Sequence, residues 1–170
     1  MSYYTDPRIC ARNFGHERLE RLARFYTSKF PEDEFVKLRM ERRLTKDFPE
    51  RLVENGWEME FADLRRYDGL CLIKKKKIII NKKLRGFCLE GTLAHEAVHA
   101  WYGRPTIDIG IGQLPYLRGA MVELLARKIV AKRSLISNLM QVFGVSKTQE
   151  HLYRKGWREH FPISTFPENL

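Results

Sequence analysis

His95 and His99 stand four residues apart with Glu96 between them, in the run LAHEAVHAWY from Leu93 to Tyr102. On an α-helix, positions i and i+4 lie one turn apart on one face, so both imidazoles can reach a single tetrahedral ion. Glu96, one residue on, lies beside that ion without being a ligand. There it can take a proton from a water the ion activates and later hand it to a leaving amine. Zn2+ lowers the pKa of such a water toward ~7 and polarises a scissile carbonyl. The spacing therefore points to zinc-dependent hydrolysis of a peptide bond. The plainer alternative is two satisfied histidines on a core helix, but two imidazoles and a carboxylate are costly to bury without a shared partner.

A zinc site needs a third protein ligand, and Glu123 is the residue the sequence favours. It is the only acidic residue among Ala120, Met121, Val122, Leu124, Leu125 and Ala126. A carboxylate in that company asks for a cation. The competing reading pairs it with Arg127 at i+4 on the wet face of its helix. Asp108, His151 and His160 are the other candidate ligands, and Asp108 could instead orient a histidine from behind. For oxyanion stabilisation Tyr116 comes first, then Tyr102 and His151. Cys10, Cys71 and Cys88 lack CxxC spacing, which argues against thiolate ligation and a disulfide framework and for a cytoplasmic setting.

These residues need a scaffold, and the periodicity supplies one. After Gly15, apolar residues Leu19, Leu22, Ala23, Tyr26 and Phe30 recur at helical steps. Pro31 suits the first turn of a second helix carrying Phe35 and Leu38, and Asp47 with Pro49 can start a third. WEMEFADL then alternates apolar and charged residues, followed by LCLI and KIII, so residues 57–81 are expected to form a three-stranded antiparallel meander. The lysine run Lys74–Lys77 is expected at a hairpin turn. If KIIIN is the sheet edge beside the His95 helix, Ile79, Ile80 and Asn81 would hold an extended substrate by main-chain hydrogen bonds. A helix capped near Thr92 and stopped by Gly103 carries the motif, and helices are expected over residues 116–133, 134–143 and 147–154. Helices, a small sheet, then helices make an α+β fold, with no repeat or linker to divide the single domain expected over 1–170.

Composition narrows the class further. A hydrophobic fraction of 44% with ten Phe, seven Tyr and three Trp describes a folded chain. No apolar run approaches the ~20 residues that span a bilayer, and the N-terminal MSYYTDPRIC has no apolar segment of a secretory signal. The net charge of +10 is compatible with a nucleic acid or acidic protein partner, and equally with a solvated basic surface.

The segments IIINKKL, LAHEAVHAWYG and the downstream ELLA resemble the zinc-binding core of gluzincin-type small metallopeptidases, the ImmA/IrrE family above all. The correspondence falls on Asn81 ending a strand, His95-Glu96-His99, and Glu123 with Ala126 three residues on. The stretch Leu139 to Trp157 is similar to that family's C-terminal segment, so residues 134–160 resemble half of a helix-turn-helix behind a zincin-like core at 57–133. Two places depart from the pattern: Gly103 stands where a further histidine is common, and Arg118–Val122 replaces an acidic doublet. The resemblance implies a cytoplasmic zinc peptidase that cleaves a regulatory protein, typically a helix-turn-helix repressor. TLAHEAVHAW is also similar to SprT-like peptidases, which act on DNA-bound proteins; that would suit the charge, although their third ligand, a histidine, has no obvious counterpart. Apart from these enzymes, FGVSKTQEHLYRK suggests a DNA-binding module using Lys147, Gln149 and Arg154. A zinc-binding protein without catalysis is the third reading.

Overall fold

The computed structural model describes residues 15–104 and 113–145. Leu19, Ala23 and Tyr26 form the buried stripe of α1 (His16–Lys29). Asp33 opens α2 (Glu34–Glu41), where its carboxylate accepts the Phe35 N–H at 3.2 Å. The same carboxylate accepts from the Tyr26 hydroxyl and the Arg118 guanidinium, tying the entry of α2 to α1 and to a distant helix. Pro49 sits in the first turn of α3 (Phe48–Glu54).

Three strands follow: β1 (Glu58–Ala62), β2 (Gly69–Leu72) and β3 (Lys77–Asn81), in spatial order β1-β3-β2. β2 and β3 form the expected antiparallel hairpin, with Leu70 opposite Ile79. The lysines make its turn: Ile73–Lys75 form one 3-10 turn and Lys76 adopts the left-handed conformation at φ 49°. β1 corrects the sequence reading. It runs parallel to β3, with Phe61 beside Ile80, so the sheet is mixed and not an antiparallel meander. The connection from Asp63 to Asp68 is too long for a tight hairpin, and its ends are fastened to the C-terminal end of β3: Lys82 N–H donates to Ala62 O at 2.9 Å, and Asn81 N–H to Asp68 O at 2.8 Å.

α4 (Gly86–Tyr102) carries the histidines. It starts six residues before Thr92, which is buried inside the helix and does not cap it. Its end is as expected: Gly103 takes φ 66°, and the Arg104 N–H returns to His99 O at 3.0 Å. Every residue of α4 except Phe87 is buried, the mark of a helix wrapped on all sides. Its neighbours are α2, α3, β2 and β3, with α5 (Gln113–Ala131) and α6 (Arg133–Val142). Near its C-terminus Trp101 meets Phe48 edge-on at 5.6 Å and lies under the Arg42 guanidinium at 4.2 Å.

Six helices and one small mixed sheet among the described residues make the fold α+β. The helix expected over 147–154 lies outside them. No helix among the described residues is long and apolar enough to cross a membrane.

Candidate metal centre

Because α4 is enclosed, its motif residues have nowhere to go but inward. His95, Glu96 and His99 are 1%, 0% and 7% exposed, and Glu123 on the facing α5 is 3% exposed. The two imidazoles turn their Nε2 atoms toward each other at 3.2 Å. Ligands on a tetrahedral zinc with bonds of about 2.0–2.1 Å stand about 3.3–3.4 Å apart, so this pair is spaced to share an ion. Without one, the same separation suits an N–H···N hydrogen bond.

Glu123 reaches the site from a different side. Its Oε2 lies 3.5 Å from His95 Nδ1, an ion-pair distance, and its Oε1 accepts from Arg127 Nε at 3.0 Å. The Arg127 partnership of the competing reading is present, but the wet face is not. A carboxylate on Nδ1 holds an imidazole from behind and fixes which nitrogen faces forward; it does not stand beside the Nε2 pair as the expected third ligand would. Its other oxygen is engaged by Arg127, the i,i+4 partner on its own helix. No group of three His, Cys, Asp or Glu side chains is gathered closely enough to hold an ion among the described residues. Asp108, His151 and His160 lie outside those residues, as does the FGVSKTQEHLYRK segment from Ser146 onward.

The charges sort the two histidines. Burial pushes the His95 imidazole down, yet Glu123 and Glu96 beside it outweigh that and carry it above its ordinary value. Burial and the neighbouring His95 drive His99 well below its own. A neutral imidazole is the form that binds a metal. On β2, burial and then the Glu96 charge push the Cys71 thiol up, which favours its protonated form.

The remaining candidates are placed elsewhere. Tyr116 is half-buried in the first turns of α5, about 10 Å along the axis from Glu123 at 1.5 Å per residue. Tyr102 is a core residue, its ring edge-on to Phe35 at 5.4 Å. β3 is the central strand, paired on both sides, so Ile79, Ile80 and Asn81 cannot form the expected edge shelf. Ile80 is fully buried, and the Asn81 side chain is engaged with the loops, donating to Tyr67 O at 2.9 Å and accepting from the Lys83 N–H at 3.1 Å. The edge beside α4 is β2, which among the described residues pairs only with β3. The unbroken Ile78–Ile80 run was the available signal, since central strands read as continuous apolar runs.

A cleft of about 440 Å³ opens between α4 and the C-terminal half of α5. Phe87, Gly91, Ala126 and Val130 give it apolar walls, and Glu123 with Arg127 form its polar end. In comparisons with protein-family models, curated proteins and solved structures, the chain matches none.

Proposed function

We propose that the protein is a zinc-dependent endopeptidase acting on a protein substrate. The observation that carries this is the burial of two imidazoles and two carboxylates together in one apolar helix pair, with the imidazole Nε2 atoms 3.2 Å apart. Such a group is expensive to desolvate unless a cation balances it. The resemblance of the motif to ImmA/IrrE-type peptidases points the same way and suggests a regulatory protein as substrate.

His95 and His99 would hold the ion, and Glu123 with Arg127 would fix the His95 ring. Zn2+ bound there supplies Lewis acidity toward a carbonyl and a water acidified toward neutral pH. Glu96 takes the proton of the attacking water on its carboxylate and returns it to the departing amine. An extended peptide would add to the side of β2 that is unpaired among the described residues, by main-chain hydrogen bonds, and the apolar cleft beside Glu123 would take one of its side chains.

Metal analysis of the purified protein should find close to one zinc per chain, lost in His95→Ala and in His99→Ala. Glu96→Gln should keep the zinc and lose cleavage of a protein substrate; retained cleavage would remove Glu96 as the base. One observation favours a second reading, a zinc-binding protein without catalysis: Glu96 is wholly buried, with no exposed surface for a substrate to meet. Stoichiometric zinc with no hydrolysis of any protein or peptide by the wild type would decide for it.

A further inference from the structure

Glu96 packs against a residue that has no side chain. Gly69, the first residue of β2, faces α4 so closely that a Cβ there would stand 2.7 Å from Thr92 Cγ2, 2.8 Å from Glu96 Cγ and 3.0 Å from Glu96 Oε1. Contacts under 3 Å force movement. Thr92 and Glu96 are one turn apart on α4 and both are 0% exposed, so neither has solvent to swing into. Thr92 is also β-branched and stiff at χ1. Gly69 is in an ordinary extended strand, not among the residues with positive φ, so the requirement is for space and not for backbone conformation.

We propose that Gly69 is a positioning residue that fixes where the Glu96 carboxylate sits. The main chain of β2, rather than a side chain, forms the wall against which the carboxylate rests. The catalytic consequence rests on the peptidase reading above. The placement of Glu96 does not.

The test is Gly69→Ala, alone and with Thr92→Ser, which removes Cγ2 and relieves the shortest clash while leaving both contacts to Glu96. Crystal structures of wild type and G69A should show the carboxylate displaced by about 1 Å with the β2–β3 register kept. Zinc affinity, measured by chelator competition, and KM should be unchanged. Turnover should fall about 100-fold, the effect of misplacing a reacting group by 1 Å. G69A/T92S should regain the melting temperature but not the turnover. The proposal is overturned if Glu96 stays in place while β2 is pushed outward, or if T92S restores turnover along with stability. A wild type that binds zinc and cleaves nothing would end the peptidase reading, and the crystal comparison would still decide the role of Gly69.

Discussion

Glu123 has two partners at once, the Arg127 guanidinium at 3.0 Å and the His95 imidazole at 3.5 Å. Glu123→Ala should weaken zinc binding about 10- to 100-fold, the usual cost of losing a group that orients a ligand. A larger loss in chelator competition would make it a ligand. Arg127→Ala strips one cation from a carboxylate that is almost wholly buried. It should destabilise the metal-free protein by about 2 kcal/mol, at the mild end for breaking such pairs because Arg127 is partly exposed. Denaturant unfolding should show the deficit shrinking when Zn2+ is added, since the ion would take over the compensation. At this scale the sequence was informative about identity and less so about orientation. Glu96 between the histidines followed from spacing, and Glu123 from being the lone acid in an apolar run. Which nitrogen of His95 it meets depends on how α4 and α5 face each other, and no local pattern carries that. Gly69 left no signal, because its role is the absence of a Cβ opposite Thr92 and Glu96, 23 and 27 residues further along the chain.

Between elements, the ion pair Glu90–Arg133 joins α4 to the start of α6 at 2.6 Å. Glu90 is 3% exposed, and burial pushes its carboxyl up to about 7 even though Arg133 pulls it down. The folded chain therefore holds a proton that the unfolded chain releases near pH 4.5. Stability should fall as pH rises from about 4.5 to 7, by at most about 3 kcal/mol from this group. Glu90→Gln should flatten that slope, which melting temperatures across pH 5–8 will show. Asp33 behaves in the opposite sense. Its carboxyl is held below its ordinary value by Arg118, Tyr26 and the Phe35 N–H against the opposing effect of burial, so its contribution is present at neutral pH and lost as pH drops below 4. The described helices were legible because three- and four-residue steps are local; their starts were less so, since α4 begins six residues before Thr92 and α2 begins at Glu34, after Pro31. Strand existence was legible because alternation is local too. Strand pairing was not: alternation says that WEMEFADL has two faces, but the parallel placement of β1 on β3 is set by loop ties from Ala62 to Lys82 and from Asp68 to Asn81.

For the whole molecule, the order helices, sheet, helices was enough to give the α+β class, while the charge of +10 left the fold undetermined, as net charge does. His95, Glu96, His99 and Glu123, on α4 and α5, are buried along with the apolar core, so an ion held there would be enclosed by the fold. Zinc binding should therefore act on global stability. Zn2+ at 100 times its Kd should raise the unfolding free energy by about 2.7 kcal/mol, visible as a higher melting temperature that His95→Ala abolishes. The enclosure of Trp101 has a practical consequence. It follows His99 by two residues, is 1% exposed, and is clasped by Phe48 and Arg42. The chain thus carries its own optical gauge at the histidine-bearing helix: with Trp57→Phe and Trp157→Phe in place, the emission maximum and intensity of the one remaining indole will track the packing of α4 in real time, without a label.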